Sequence, residues 1–335
     1  MTLEERINAF SQLGDKLKSL TDEEFEDLAL NAQNGNSWFT YESVRSAIDG
    51  IITFLDKPTL NKWSSKYTLS KDSKTIGTVM AGNIPLVGFH DLLCILISGH
   101  SIKVKMSSQD SVLMKFIIDS LIEIDPRLVQ KIIIVERLKD IDAIIATGSD
   151  NSARYFEYYF SKYPHIIRKN RTSIGVLNGK ETRQELKELG QDIFQYFGLG
   201  CRNVSKLYVP EGYNFNSFFE SIQSFQSVGD HHKYNNNYEY NKSIFLVNSD
   251  KHLDNGFLLL RESSNLVSPL AVLFYEEYLD QDSLNHTLER AQEKIQCVVS
   301  NNRWYKNSFD FGEAQLPGIN DYADHVDTMK FLNSL

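Results

Sequence analysis

Apolar side chains recur every three or four residues at the start of the chain, where Ile7, Phe10, Leu13, Leu17 and Leu20 fall on one helical face. A second, acidic helix is expected over residues 21–32, and both helices need a core supplied from further along. At Thr75 the pattern changes to short apolar runs separated by polar turns. Residues 75–81 read as a buried strand, residues 89–98 as an apolar helix closed by Gly99, and residues 101–105 as the next strand. Asp110 is expected to cap a helix that runs to Ile124. Residues 131–135 continue the series, and residues 142–146 form a strand leading through Thr147-Gly148-Ser149 into a tyrosine-rich helix, residues 152–163, packed against the sheet. This alternation predicts an α/β fold with a doubly wound parallel sheet. Later, helical spacing extends from Gln184 to Phe197, with Gly198 and Gly200 suited to left-handed conformations that stop the helix. Residues 230–241, rich in Asn and Tyr, are expected to form a surface loop.

Composition narrows the function classes. The chain has 335 residues, 41% of them hydrophobic and 24% charged, enough for one large or two medium domains. A net charge of −9 with scattered lysines and arginines argues against a nucleic-acid partner, which requires a basic face. No apolar segment approaches the ~20 residues needed to cross a bilayer, and the first residues lack the basic and apolar regions of a signal peptide, so a cytoplasmic protein is expected. Three widely spaced cysteines form no metal spacing and fit a reducing compartment.

One of those cysteines differs from the others. Cys94 and Cys297 lie within apolar runs, as packing thiols do, whereas Cys201 sits between a glycine-rich turn and the strand-like run from Ser205 to Val209. That junction suits an accessible nucleophile if something lowers the thiol pKa; otherwise such a turn cysteine is inert. Arg202 could favour the thiolate or, since adjacent side chains diverge, point to solvent, which is the preferred reading. In doubly wound sheets ligands bind beyond the carboxyl ends of strands. Three polar turns occupy such places: Gly82-Asn83-Ile84-Pro85, Lys105-Met106-Ser107-Ser108 and Thr147-Gly148-Ser149. Each also has a purely structural reading, as an Asn-x-Pro turn, a solvated lysine and a capping serine. No G-x-G-x-x-G follows a strand, so a nicotinamide cofactor would need another binding mode. His231 and His232, adjacent in extended chain, should point in opposite directions and offer no metal pair.

Taken in order, these turns and the cysteine element resemble the aldehyde dehydrogenase superfamily. Gly82-Asn83-Ile84-Pro85 is similar to its Asn-aromatic-Pro turn, Lys105-Met106-Ser107-Ser108 to its Lys-Pro-Ser-Glu segment, and Thr147-Gly148-Ser149 to its Phe-Thr-Gly-Ser turn. Gly200-Cys201 and the strand after it resemble its nucleophile. The runs Val79–Asp91, Ala146–Ser149, Arg168-Lys169-Asn170-Arg171 and Tyr196–Asn203 more specifically resemble the acyl-CoA reductase branch, relatives of the fatty-acid reductase subunit of bacterial bioluminescence systems. The resemblance extends from about Thr75 to the segment Phe311-Gly312-Glu313-Ala314-Gln315 and is weak before it.

The resemblance implies an aldehyde-dehydrogenase-like fold: a nicotinamide-binding domain with N-terminal helices over residues 1–170, a second α/β, catalytic domain over 171–300, and a tail, 301–335, returning to the first. It implies reduction of a fatty acyl-CoA, or another acyl thioester, to an aldehyde through a Cys201 acyl-enzyme, with Asn83 and the Cys201 amide as oxyanion donors. Lys105, Ser107, Ser108, Thr147, Gly148, Ser149 and Asn265 would contact the cofactor. Three departures refine this. Aldehyde-oxidising members carry a glutamate that activates water, but residues 166–172 here contain no carboxylate. Ser108 replaces the glutamate that repels a 2′-phosphate, so NADPH should be used at least as well as NADH. Asn265 replaces the glutamate that holds the nicotinamide ribose, with Glu262 one helical turn upstream as a substitute. Expected partners are an acyl-CoA or acyl-protein substrate, a homo-oligomer or an acyl-transfer protein. The alternatives are a conventional aldehyde dehydrogenase and a catalytically silent acyl-CoA-binding scaffold.

Overall fold

The computed structural model describes residues 1–69 and 72–335. The chain divides into two compact units, Met1–Asn170 with Pro317–Leu335, and Arg171–Leu316.

In the first unit, α1 (Leu3–Lys18) and α2 (Asp22–Gly35) each start from a capping box, in which Thr2 or Thr21 accepts the amide of Glu5 or Glu24 while that glutamate reaches back to the threonine amide. Ile7, Phe10, Leu13 and Leu17 are buried, as their spacing predicts. Two helices not expected from the sequence follow, α3 (Tyr41–Phe54) and α4 (Lys57–Ser64). The alternation then runs β1 (Thr75–Val79), α5 (Phe89–Ser98), β2 (Ser101–Lys105), α6 (Ser111–Ile124), β3 (Ile132–Ile134), β4 (Ala143–Thr147), α7 (Asp150–Phe160) and β5 (His165–Arg168). The five strands are parallel in the order β3-β2-β1-β4-β5. The order reverses between β1 and β4, which makes the carboxyl edge there the place for a ligand. Gly99, at φ 94°, ends α5, whose side chains join those of α1 to α4 and α6 in one apolar core. Only part of α7 meets the sheet: Ala153 is buried and Phe156 and Phe160 pack there, while Tyr155, Tyr158 and Tyr159 are exposed.

The second unit contains β6 (Thr172–Val176), α8 (Arg183–Phe194), β7 (Val204–Pro210), α9 (Asn216–Ile222), α10 (His232–Val247), β8 (Leu253–Asp254), β9 (Leu259–Glu262), β10 (Val272–Tyr278), α11 (Gln281–Ala291) and β11 (Ile295–Val299). Its sheet order is β11-β6-β7-β10-β9-β8, with only the β8–β9 pair antiparallel. The expected loop over 230–241 is instead the start of α10. Asn237 and Asn241 donate to the carbonyls of Lys233 and Asn237, both at 2.8 Å, and Tyr234, Tyr238, Asn241 and Phe245 form its buried stripe. The His231 and His232 rings stack with centroids 5.2 Å apart rather than diverging.

The chain ends in α12 (Thr328–Asn333), within the first unit. There Trp63 donates to the Tyr322 hydroxyl at 2.8 Å, and the rings of His90 and His100 meet the carbonyls of Ile319 and Leu332 at 2.9 and 3.0 Å. Burial holds both histidines below their usual pKa. Arg168, at the end of β5, donates to both carboxylate oxygens of Asp91, at 2.6 and 2.9 Å, and to the Thr328 hydroxyl at 3.1 Å. Among the described residues no helix is long and apolar enough to cross a membrane.

Candidate active site

Strand register brings the three polar turns of the first unit together. Val79 on β1 pairs with Lys105 on one side and Ala146 on the other, so the turns at 82–85, 105–108 and 147–149 leave adjacent strands at one level. A Cβ on Gly82 would lie 2.5 Å from the Ser107 hydroxyl oxygen, so the backbone of the first turn needs glycine to pass that close to the second. Asn83, Lys105 and Ser108 are exposed, and Thr147 and Gly148 are half-buried. Ser107 accepts the Gln109 amide at 3.2 Å and opens a 3-10 turn, Ser108–Asp110. Ser149 accepts the Ser152 amide at 3.2 Å and caps α7, whose amino end therefore opens on the same edge. Polar turns at the switch point, a helix amino terminus and a segment 105–108 without a carboxylate fit a phosphate-bearing dinucleotide.

Asp110 does not cap α6. It occupies the N-cap position without a side-chain cap bond, and its carboxylate instead accepts the amide of Leu86 at 2.8 Å. Leu86, at φ 57°, follows the Asn83 turn directly, so Asp110 fixes the far end of that turn. Burial pushes the Asp110 carboxyl up to about 8, only partly offset by the Leu86 amide.

In the second unit Cys201 lies in the turn that enters β7, at the amino edge of the sheet. α8 ends at Phe194, earlier than expected, because Tyr196, Phe197 and Gly198 take left-handed conformations with φ 53°, 57° and 80°. Such backbone costs a bulky residue on the order of 1–2 kcal/mol. Gly200, expected to be left-handed, is not among the residues with positive φ. Asn203, buried, holds the turn: its side-chain oxygen accepts the Gly200 amide at 2.8 Å, and its nitrogen donates to the carbonyls of Asp192, Ile193 and Gln195 at 3.1, 3.3 and 2.7 Å. Ser173 on β6 donates to the Cys201 carbonyl at 3.1 Å from the other side. Cys201 is half-buried, while Cys94 and Cys297 are buried, and burial raises the Cys94 thiol well above its usual pKa.

Arg202 does not run into solvent. It is half-buried, its Nε donates to the Ala314 carbonyl, and its guanidinium lies 4.9 Å from the centre of the Phe309 ring. Asp192 on α8 accepts the amides of Gly312 and Ala314 at 2.7 and 2.9 Å, which anchors the same segment; burial pushes its carboxyl up to about 7 against the pull of those amides and of Arg202. Asn265 is exposed in the loop between β9 and β10, and Ser205 ties that loop to β7 by donating to the Leu266 carbonyl at 3.0 Å. The cysteine turn and the Asn265 loop are thereby neighbours. Glu262 ends β9 in extended chain, so it is not one helical turn from Asn265.

A cavity of about 180 Å³ opens between these two loops, walled by Phe194, Phe197, Leu199, Tyr234, Leu258 and Leu270. Sequence reasoning missed Asn203, Asp110 and Asp192 as organisers of the site. Asn203 carried a readable signal, since an Asn in a turn, here three residues after Gly200, commonly bonds nearby backbone; the partners of the two aspartates are distant in sequence.

A family model described as acyl-CoA reductase (LuxC) matches residues 18–222. Its reach includes most of the N-terminal helices, further forward than the motif resemblance begins. No curated protein matches the sequence. Solved structures with a similar fold include aldehyde dehydrogenase 21 from Physcomitrella patens in complex with the reaction product succinate, at 13% identity over 90% of this chain and 73% of that one, with a TM-score of 0.66. An NADP-dependent enzyme of E. coli aligns at 13% identity over 94% and 76%, TM-score 0.66. A variant of the propionaldehyde dehydrogenase from the Clostridium phytofermentans fucose utilisation microcompartment aligns at 11% identity over 94% and 82%, TM-score 0.63. At these identities the likeness is one of fold: this chain has the α/β fold of the aldehyde dehydrogenases.

Proposed function

The chain belongs to the acyl-CoA reductase (LuxC) family, oxidoreductases of acyl and aldehyde groups, and from that premise we propose that it reduces a fatty acyl thioester to an aldehyde through a thioester on Cys201. Lys105, Ser107, Ser108 and the 147–149 turn would hold the dinucleotide at the carboxyl edge of the first unit's sheet, and Asn265 would supply the ribose contact that the family resemblance assigns to it. The Cys201 thiolate attacks the acyl carbonyl, whose electron pair moves to oxygen and is held by the Asn83 side chain and the Cys201 amide. Collapse expels CoA as its thiolate and leaves the acyl group on sulfur. A bound reduced nicotinamide supplies the hydride that releases the aldehyde; in sum, acyl thioester, reduced cofactor and one proton give aldehyde, thiol and oxidised cofactor. Without a glutamate opposing a 2′-phosphate, NADPH serves at least as well as NADH.

The observation that carries this reading is the lack of a carboxylate in the segment that resembles the water-activating one of aldehyde-oxidising members. Residues 166–172 contain no carboxylate, and the charged side chain of Arg168 is buried and spent on Asp91 and Thr328. An acyl-enzyme that cannot activate water persists until hydride or thiol reaches it. Mixed with acyl-CoA and no nicotinamide, the protein should gain one acyl mass on the peptide bearing Cys201, Cys201→Ala should gain none, and NADPH should discharge the adduct as aldehyde. Rapid release of free acid without cofactor would refute the assignment.

A further inference from the structure

Resting on the nucleophile assigned to Cys201, we propose that Ser173 and Cys297 are positioning residues for it: the Cys297 thiol fixes the Ser173 hydroxyl, and that hydroxyl fixes the Cys201 carbonyl. The strand ladder is interrupted on both sides of Ser173. On β11, Ile295 pairs with Thr172 but Val298 with Ile174, so Gln296 and Cys297 together stand against Ser173. On β7, Val204 pairs with Ser173 and Lys206 with Ile174, which leaves Ser205 as an extra residue at the same level. Such insertions are rare between parallel strands, and they re-aim side chains. Here the two of them meet at one hydroxyl.

Proton accounting gives that meeting a direction. A serine hydroxyl has a single proton to donate and a pair of lone pairs to accept with. The proton goes to the Cys201 carbonyl at 3.1 Å, and one lone pair accepts the Cys297 amide at 3.2 Å. The contact of 2.9 Å between Ser173 Oγ and Cys297 Sγ must then use the thiol proton, which completes a chain of hydrogen bonds from Cys297 through Ser173 to Cys201. Ser173 and Cys297 are both buried, so solvent does not compete for these bonds. From the preceding side, Asn203 holds the Gly200 amide at 2.8 Å. With the peptides on both sides of the Cys201 α-carbon held, the direction in which its side chain leaves the turn is held as well. A packing role for Cys297 accounts for its burial, but not for the inserted residue that carries its amide and its sulfur onto Ser173.

The test follows acyl-adduct formation on Cys201 by mass spectrometry, against the concentration of acetyl-, octanoyl- and tetradecanoyl-CoA, in the wild type and in Ser173→Ala, Cys297→Ala and Cys297→Ser. Misplacing a reacting group by about 1 Å can cost roughly 100-fold in rate, so the plateau rate should fall about tenfold or more in Ser173→Ala and severalfold in Cys297→Ala, while the half-saturating concentration stays within about twofold. Cys297→Ser keeps a donor beside Ser173 and should recover most of the rate lost in Cys297→Ala. Wild-type plateau rates in both alanine variants, or a Cys297→Ser rate no higher than that of Cys297→Ala, would overturn the positioning role and leave the nucleophile standing. The comparison of the two Cys297 variants decides this even if Ser173→Ala does not fold. No adduct on wild-type Cys201 from any of the three thioesters would overturn the nucleophile, and the positioning role with it.

Discussion

Single side chains that never touch a substrate decide whether this site is assembled. Asn203→Ala would leave the Gly200 amide and three carbonyls without their partner. The expected cost is about 1–3 kcal/mol of stability, and a Cys201 alkylation rate by iodoacetamide that falls toward that of Cys94; unchanged Cys201 labelling would show that the turn holds itself. Asp110 acts on the Asn83 turn through the Leu86 amide, and its behaviour with pH has a definite sign. Its folded pKa of about 8 lies above the ordinary carboxylate range, so the folded state holds the proton more tightly than the unfolded chain does. Its contribution is complete below about pH 4 and is lost as pH rises through about 8. Asp192, pushed up to about 7, works in the same direction. Urea denaturation of the wild type from pH 5 to 8 should therefore show falling stability, and Asp110→Asn should flatten part of that slope; parallel slopes would mean Asp110 is already charged in the folded protein.

At the scale of elements, close backbone approach matters more than capping. Gly82→Ala would place a methyl carbon 2.5 Å from the Ser107 oxygen, and the contact is with a side chain that itself caps the following turn. One of the two turns must move, so NADPH affinity, read by nucleotide fluorescence, should drop about tenfold or more with little change in melting temperature. The same scale explains what was legible beforehand. β1, β2, β4, α1 and α5 were readable because aliphatic residues carry their periodicity and Gly99 punctuates it. α10 was hidden because its stripe is written in Tyr234, Tyr238, Asn241 and Phe245, spaced for a helix but set among asparagines that favour turns. The asparagines are tolerated because two of them bond back along the helix and Asn241 also donates to the Leu270 carbonyl at 3.0 Å. Cys201 and the three strand-end turns stood out from the sequence alone. The contacts that hold them, Asp110 to Leu86 and Ser173 to Cys201, join residues far apart in the chain and leave no local trace.

For the whole molecule, the most consequential such long-range link is the buried cluster of Asp91, Arg168 and Thr328, which joins α5, β5 and α12. Burial alone would lower the Arg168 pKa, but the Asp91 charge and hydrogen bonds hold it above its usual value. Those two residues lie within the segments that resemble the acyl-CoA reductase branch, and their pairing gives that resemblance a structural content, because it secures the fold of the first unit. Removing one partner leaves an uncompensated buried charge, so Asp91→Leu alone should destabilise the protein by about 3–5 kcal/mol. Asp91→Leu combined with Arg168→Met removes both charges and should recover most of that loss, because well-packed apolar residues often replace a buried pair without penalty. Hydrogen exchange gives the decisive readout. In Asp91→Leu the amides of α12 should exchange faster together with those of α5, since Thr328 shares the guanidinium with Asp91. Faster exchange confined to α5 would mean that α12 is held by Met329 and Leu332 in the apolar core, with the polar cluster contributing nothing to it.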